Sequence, residues 1–433
     1  MRNLGFVPAP HLIRRWIFLS VIISLSVITT GAQTVSGLTI EEAYRLARKN
    51  YPLIRQQDLI TKAKQYTVDN AAKGYLPALS VSGLVTYQSA VTQYPAPGFP
   101  TFKKDQYKFY AELDQLIYDG GQIKNQKEAA GVNDVIQQQS LEVELYTLYD
   151  RVDQLFFGAL LEDDQIHLND LLKKDLQNGI DRAKAQVANG TAYRSSVDVL
   201  VAQLLQADQS RIELLANRKA FTDMLGLFIG RVLDDNTVLE QPPVPQLATN
   251  VSRPELLYYD YQKRAYDLQD DELKVQLRPK LGFFVQGGLA RPGLNFLSDN
   301  FSWYYYGGVR LIWNLGSLYT LKNNRNLSDI GRQNLEVEKQ TFLLNTQITQ
   351  KQKSSELQKY IELVKNDDEI VSLRDAVKKA STAQLENGVL SARDYITEVN
   401  AEAQARQSRS LHEVQLLQVR YSYQALMGAT SIK

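Results

Sequence analysis

Few residues of this sequence belong to the types that carry out chemistry. The 433 residues include no cysteine and three histidines, His11, His167 and His412. Without cysteine the chain has no disulfide framework, no thiol nucleophile and no cysteine–metal cluster. The sequence contains no recognisable nucleophile–base or metal-ligand constellation, so it predicts a protein that is not an enzyme and that has no catalytic residue, metal site or cofactor.

Two pairs of neighbouring acids are the remaining candidates for acid–base chemistry. Asp163–Asp164 and Asp270–Asp271 lie in heptad-like helical sequence, with no further acid at a catalytic spacing. We therefore interpret them as parts of solvated helix faces. The 49 basic and 48 acidic residues give a formal net charge of +1, which offers no support for a nucleic-acid partner.

The N-terminal segment has the composition of a signal peptide. Arg14 and Arg15 precede an apolar run from Trp16 to Ile28, and three small residues follow at 30–32. The run is shorter than the roughly 20 apolar residues of a spanning helix, and an interfacial anchor is the alternative. Because no later apolar stretch reaches about 18 residues, an exported chain of this kind is periplasmic, secreted or built into an outer membrane as strands.

The sequence is duplicated with a period of about 200 residues. Residues 76–81 resemble residues 278–283, and the pair Asn189-Gly190 has a counterpart in Asn387-Gly388. A proline-rich segment around Pro242, where a helix cannot continue, separates the two halves. The predicted domains are a signal peptide (1–32), a first repeat (33–240), a linker (241–251) and a second repeat (252–433).

Segments of alternating polarity occur twice in each half. Between 104 and 118, apolar residues such as Phe109 and Leu113 alternate with polar residues such as Lys108 and Glu112. A period of two predicts strands with one apolar and one polar face, here of about the length of a tilted membrane strand. An ordinary half-buried antiparallel sheet has the same alternation and remains the alternative. The predicted strands are at about 76–89, 104–118, 280–290 and 301–314.

The rest of the chain is predicted to form long helices. Leu141, Leu145, Leu148 and Val152 follow one another at steps of four and three residues, which is the spacing of a coiled-coil seam. A helix from residue 121 to the Asn189-Gly190 turn would be about 100 Å long at 1.5 Å per residue. The long helices are expected within 121–230 and 317–428, with bends or breaks at Gly131, Gly158 and Gly179.

Four membrane strands from one chain cannot close a barrel. Open sheet edges do not occur in lipid, because their backbone groups find no hydrogen-bond partners there. If the four segments are membrane strands, several chains must therefore share one barrel. Three chains would supply twelve strands and, beneath them, a ring of long helices.

The order of motifs in both halves resembles the outer-membrane efflux proteins of the TolC type. The motifs are Leu-Thr-Ile-Glu-Glu-Ala at 38–43, Asn-Tyr-Pro at 50–52, Tyr-Leu-Pro at 75–77, Tyr-Asp-Gly-Gly at 118–121, and Gly388 followed by Ser391, Asp394 and Tyr395. The resemblance implies an α+β membrane protein in which duplicated helix–strand–strand–helix halves form a trimeric 12-stranded β-barrel on a long coiled α-helical barrel.

The same resemblance implies a function and a set of partners. It implies the exit duct of a tripartite efflux or type I secretion system, which passively conducts substrates from the periplasm to the exterior. The location would be the outer membrane of a Gram-negative bacterium, with a large periplasmic portion. The implied partners are two further copies of the chain, outer-membrane lipid, a periplasmic adaptor (membrane fusion) protein and an inner-membrane transporter.

Polar strand residues and helix turns are the parts that such a duct would use. The residues expected to line the pore within the barrel, where they would keep it wet, are Lys108, Glu112, Asp114 and Arg310. In this family the gate lies at the periplasmic end, where helix pairs turn and coil inward. The corresponding turn tips here are Asn189-Gly190 and Asn387-Gly388.

Three residues after the second turn are candidates for the gate. The resemblance aligns Asp394 with a constriction carboxylate of the family, and three copies on a threefold axis would favour cations. Where the family has a second acid this chain has Thr397, and we infer that Glu398 replaces that acid. We also infer that Arg393 replaces a basic residue that the family has just after the turn. The alternative for Asp394 is a charge at a helix N-terminus or on a solvated helix face.

Functions of another class are also compatible with parts of the sequence. A secreted or periplasmic coiled-coil scaffold without a channel would explain the heptads, and a periplasmic adaptor would explain the helical hairpins. Neither alternative explains why both halves carry a pair of strands. An adaptor should also have a lipoyl-like or barrel domain beside a single hairpin.

Overall fold

A computed structural model describes residues 37–93, 97–98, 101–295 and 297–429. The predicted signal peptide lies outside the described residues. The helices are α1 (Ile40–Asn50), α2 (Gln56–Ala72), α3 (Gln122–Tyr146), α4 (Leu148–Ala188), α5 (Arg194–Ile229), α6 (Pro254–Gln276), α7 (Leu318–Glu386) and α8 (Ala392–Met427). Within the described ranges, none of these helices combines the length and the apolar character that crossing a membrane requires.

The strands form one antiparallel sheet that joins the two halves of the chain. The strands are β1 (Ala78–Tyr87), β2 (Asp105–Tyr118), β3 (Lys280–Arg291) and β4 (Ser302–Ile312). Their order across the sheet is β1-β2-β3-β4, so that the central pair, β2 and β3, contains one strand from each half. β1 and β4 are therefore the edges of the sheet within the described part of the chain.

Long helical hairpins follow the strand pairs. α4 packs against α5, and α7 packs against α8. The two hairpins meet where α8 packs against α4, while α3 contacts α2 and α6 nearer the sheet. α7 has 69 residues, which corresponds to about 100 Å at 1.5 Å per residue.

The first long helical segment is interrupted at Thr147, between α3 and α4. The Thr147 hydroxyl donates to the Glu144 carbonyl at 2.8 Å, a bond that competes with the regular helical ladder. The expectation of bends or breaks at the three glycines was wrong as to breaks, since all of them lie inside helices, and bends there stay a prediction. A Cβ at Gly158 would lie 2.7 Å from the Phe221 ring, and one at Gly179 would lie 2.8 Å from the Tyr395 ring. These two glycines therefore allow aromatic residues of neighbouring helices to approach α4.

A compact apolar cluster holds the short helix α1 against the hairpins. Ile40 and Ala43 of α1 are fully buried against residues of α4, α5 and α8. Thr39 caps the helix, because its hydroxyl accepts a hydrogen bond from the Glu42 amide at 3.2 Å. Arg48 donates to both carboxylate oxygens of Glu142, at 2.6 and 2.7 Å. α1 is thus fixed on α3 as well as on the hairpins.

Candidate functional site

The four residues predicted to line a pore lie on one face of the sheet. Arg310 of β4 contacts Glu112 at 2.8 Å and Asp114 at 3.0 Å, both on β2. Gln286 of the intervening strand β3 donates to the second carboxylate oxygen of Glu112 at 2.9 Å. Lys108 is on the same face of β2, four residues before Glu112. We call this surface the polar face.

Aromatic rings cover much of the polar face. The Lys108 ammonium lies 4.8 Å from the ring centroid of Tyr110 and 5.7 Å from that of Tyr304. The Arg310 guanidinium lies 4.5 Å from the ring centroid of Phe284. Lys108 and Arg310 are therefore each held against at least one aromatic ring, where the attraction between the cation and the ring's π-electrons stabilises its position.

The opposite face of the sheet is apolar and exposed. Val81, Trp303 and Tyr305 are 81%, 83% and 82% exposed. In a water-soluble sheet the apolar face is the buried one, so the usual arrangement is inverted here. This apolar face requires a nonpolar cover. Its further large members are Leu79, Val85, Phe109, Leu113, Phe283, Val285, Val309 and Leu311.

Exposed aromatic side chains lie at both ends of the apolar face. Tyr87 and Trp303 are at the loop end, and Tyr118 and Trp313 are at the helix end. A tilted strand of this length spans about 25 Å between two such girdles. Tyrosine and tryptophan at these positions suit the two headgroup regions of a bilayer.

The two predicted helix-turn tips have the same backbone geometry. Gly190 and Gly388 adopt φ values of +74° and +69°, which glycine tolerates because it has no Cβ. In each turn a later amide donates back to the last helical residues, from Thr191 to the Gln186 carbonyl and from Val389 to the Gln384 carbonyl. Both hairpins therefore end in a tight turn in which a backbone amide donates to a carbonyl of the preceding helix.

The two turns lie side by side. Gln186 donates to the Leu385 carbonyl at 2.5 Å, and Arg182 contacts Glu386 at 2.7 Å. Tyr395 is 2% exposed in an apolar cluster that joins both hairpins next to the turns. We call this group the tip cluster; its buried members are Leu176, Ile180, Ala183, Leu200, Ala207, Leu385, Ala392, Tyr395, Ile396 and Val399.

The gate candidates lie at the beginning of α8, next to the tip cluster. Ser391 caps α8: the Asp394 amide donates to the Ser391 hydroxyl at 3.2 Å, and that hydroxyl donates to the Asp394 carboxylate at 2.7 Å. Glu398, one turn later, contacts Arg374 of α7 at 3.4 Å. Arg393 is exposed. The structure thus gives Asp394 a local capping bond and leaves its charge at the hairpin end.

The acid pairs are more engaged than solvated helix faces would be. Asp163 forms an ion pair with Arg218 of α5, and Asp164 accepts a hydrogen bond from Ser410 of α8 at 3.2 Å. Asp270 contacts Arg332 at 2.5 Å. These three acids link neighbouring helices, so the prediction of a solvated face was wrong for them. In the described part of the chain Asp271 forms an ion pair only with the nearby Lys274.

Histidine also takes part in helix packing. The Nδ1 atom of His412 in α8 lies 2.6 Å from the Asp367 carboxylate of α7, so this histidine links the two helices. Among the described residues, no group of three or more acidic and histidine side chains is arranged to hold a metal ion.

An ion cluster close to the tip cluster could not be recognised from the sequence. Lys378 of α7 lies 3.0 Å from Asp175 of α4 and 3.1 Å from Glu402 of α8. Although burial acts in the opposite direction, the hydrogen bonds that Lys378 donates to the two carboxylates raise its pKa above the ordinary value. The three residues come from distant parts of the chain, and a lysine or acid on a helix is too common to be a signal.

The fold is that of solved outer-membrane channels. CusC, whose structure concerns transmembrane channel formation, matches with a TM-score of 0.62 at 13% identity, over 89% of this chain and 91% of that chain. The outer-membrane channel OprN matches with a TM-score of 0.62 at 13% identity, over 90% and 89%. The CmeC outer membrane channel of Campylobacter jejuni matches with a TM-score of 0.61 at 12% identity, over 90% and 85%.

A family model also matches part of the sequence. Residues 43–227 match the model of the outer membrane efflux protein family. The resemblance that the motifs indicated is thereby confirmed. No curated protein sequence matches the chain significantly.

Proposed function

We propose that this protein is the outer-membrane exit duct of a tripartite efflux or type I secretion system. One observation carries the proposal: the sheet exposes its apolar face and has Lys108, Glu112, Asp114 and Arg310 on the opposite, polar face. That arrangement fits a wall with lipid on one side and water on the other. The family match and the shared channel fold support the same function.

The unpaired sheet edges of the chain support assembly of several copies, for which we propose a trimer. β1 and β4 are sheet edges, and in lipid their free backbone groups need partners. Apolar residues are also exposed along α5 and α7, the outer members of the two hairpins. They include Val199, Leu205 and Ile212 on α5 and Val337, Leu344, Ile348 and Leu373 on α7. Three copies would join β1 to β4 into twelve strands and cover these helical faces.

The long hairpins would then form the periplasmic portion of the duct. Their turns are far from the sheet along helices of up to 69 residues, so the turn tips are the end that faces an adaptor and an inner-membrane transporter. Conduction would be passive, with the gate at the tips. A scaffold or adaptor function without a channel would leave the apolar face of the sheet in water, where exposing it is unfavourable.

A cysteine scan of β1 tests which face meets water. Because the chain contains no cysteine, single substitutions have no background reaction. Ser80→Cys and Ser82→Cys are on the polar face, and the matched controls Val81→Cys and Val85→Cys are on the apolar face of the same strand. In outer-membrane vesicles we expect a charged, membrane-impermeant thiol reagent to label the serine positions and to leave the valine positions unlabelled.

The scan has an outcome that contradicts the proposal. Equal labelling of all four positions in vesicles would mean that both faces meet water, as on a soluble scaffold. The purified protein should also require detergent and have a mass three times that of one chain. A detergent-free, water-soluble monomer would likewise exclude the duct.

The gate residues make a second prediction. We expect Asp394→Ala combined with Glu398→Ala to raise single-channel conductance in planar bilayers, and to lower the cation preference about two- to threefold because the acidic ring is lost. Ser391→Ala is the matched control, since it removes the capping bond of Asp394 and keeps both charges. Conductance and selectivity equal to those of the wild type would remove both acids from the gate.

A further inference from the structure

The charges of the polar face are sorted along the strands. Glu112 and Asp114 of β2 and Arg310 of β4 lie towards the helix end of the sheet. Lys108 lies four residues closer to the loop end of β2, which corresponds to about 13 Å along a strand. The polar face therefore has two separate charged levels.

The level near the helices is partly compensated. Arg310 binds both carboxylates, and Gln286, which is 2% exposed, donates to Glu112 from the other side. The guanidinium is also held against the Phe284 ring. These acids are thus tied to the wall, and one positive charge offsets one of their two negative charges.

The level near the loops has an uncompensated positive charge. Within the described ranges, no carboxylate forms an ion pair with Lys108. Its cross-strand neighbours in the register are Leu84 on β1 and Ala290 on β3, which carry no charge. Glu112 lies on the same face of β2, four residues further along, but it already forms an ion pair with Arg310.

Tyrosine rings fix the position of the Lys108 ammonium along the polar face. The Lys108 ammonium lies over the rings of Tyr110 and Tyr304. Tyr304 is 8% exposed and stacks on Tyr306 at a centroid distance of 6.2 Å. A lysine side chain is normally mobile, but rings that are themselves packed restrict where this ammonium can lie.

We propose that Lys108 makes the outer part of the duct selective for anions, by presenting an uncompensated ammonium to solutes that pass the polar face. The inference depends on the proposed function, because only a shared barrel brings three copies of Lys108 round one lumen. The ligand class is a small anion or an anionic group of a larger solute. The acids at the helical tips would act in the opposite sense at the other end of the duct.

Reversal potentials in planar bilayers under a potassium chloride gradient test this inference. We expect Lys108→Gln to lower the chloride-to-potassium permeability ratio about threefold, since a ring of three charges in water acts at this strength after screening. Lys108→Glu should lower it further, and Lys108→Arg should keep the wild-type ratio. Lys49→Gln is the matched control, as it removes an exposed lysine at the end of α1, away from the sheet.

The outcomes separate this inference from the proposed function. If the wild type conducts and both Lys108→Gln and Lys108→Glu keep its permeability ratio, the selectivity role is overturned and the duct stands. If Lys49→Gln changes the ratio as much as Lys108→Gln does, the effect is one of total charge and the role of Lys108 is overturned too. If the wild-type protein forms no channel, the proposed function fails and this inference fails with it.

Discussion

Replacing Gly288 by alanine is expected to prevent the sheet from forming and to abolish the assembled protein. A Cβ at this position of β3 would lie 2.1 Å from the Phe109 carbonyl oxygen and 2.7 Å from the Tyr110 Cα. Both atoms belong to the backbone of β2, which cannot move aside without losing its pairing with β3. The added methyl group should therefore cost about 3 kcal/mol or more, at the upper end of overpacking effects.

The neighbouring glycine provides the control. A Cβ at Gly287 would have its nearest contact at 3.7 Å, an ordinary van der Waals distance, so Gly287→Ala adds the same methyl group to the same strand without a clash. We expect Gly287→Ala to migrate on unheated gels as the wild type does and Gly288→Ala to give no folded protein. Equal behaviour of the two variants would show that the β2–β3 pairing is wrong.

Replacing Asp153 by asparagine is expected to stabilise the protein at neutral pH. Asp153 is 2% exposed inside the cluster that holds α1, and it accepts a hydrogen bond from the Tyr44 hydroxyl. Among the described residues its second carboxylate oxygen, Oδ2, has no hydrogen-bond partner. Burial, together with the smaller effect of the nearby Asp150 and against the opposing effect of the Tyr44 bond, raises the pKa of Asp153 from 3.8 to about 7.

The sign of the pH dependence follows from this raised pKa. Between pH 4 and pH 7 the folded protein holds the Asp153 proton and the unfolded chain releases it. The free energy of unfolding therefore falls as the pH rises through this range, by about 1.4 kcal/mol per unit and by roughly 3 to 4 kcal/mol in all. An asparagine resembles the protonated acid in shape and does not titrate, so the variant avoids this loss.

Thermal midpoints of the detergent-purified protein measure the effect. The midpoints of Asp153→Asn and wild type should agree near pH 4, and the variant should be the more stable by an amount that grows up to pH 7 and then stays constant. Asp170→Asn is the control, because this acid forms an exposed pair with Arg211 whose loss costs about 1 kcal/mol or less. A difference between Asp153→Asn and wild type that does not change with pH would contradict the buried, raised-pKa carboxyl.

The strands were predictable because their signal is local. Alternation between 104 and 118 marks both the strand β2 and its two faces, and the structure places β2 at Asp105–Tyr118. The turn residues Gly190 and Gly388 were likewise recognisable, because a positive φ at the end of a helix favours glycine whatever the helix packs against. Leu141, Leu145 and Leu148 are buried, as their seam spacing indicated.

The helix interruption shows where local signals mislead. Glycine weakens an isolated helix, and so Gly158 and Gly179 predicted breaks. In the folded protein the rings of Phe221 and Tyr395 pack against these positions, and this packing between helices outweighs the local weakness. At the Thr147 interruption the hydroxyl donates to the Glu144 carbonyl, but Thr222 donates in the same way to the Lys219 carbonyl inside the continuous helix α5, so this local bond alone does not predict a break.

By itself, the sequence determined the duplicated order of strands and helices, the composition of each strand face and the positions of the turns, because each of these depends on residues close together in the chain. Only the tertiary structure decided that β2 pairs with β3 across the two halves, that Arg310 binds Glu112 and Asp114, and that Asp153 is buried under α1. These features join residues from distant parts of the chain, and a charged or polar residue does not specify its partner until packing brings the two together.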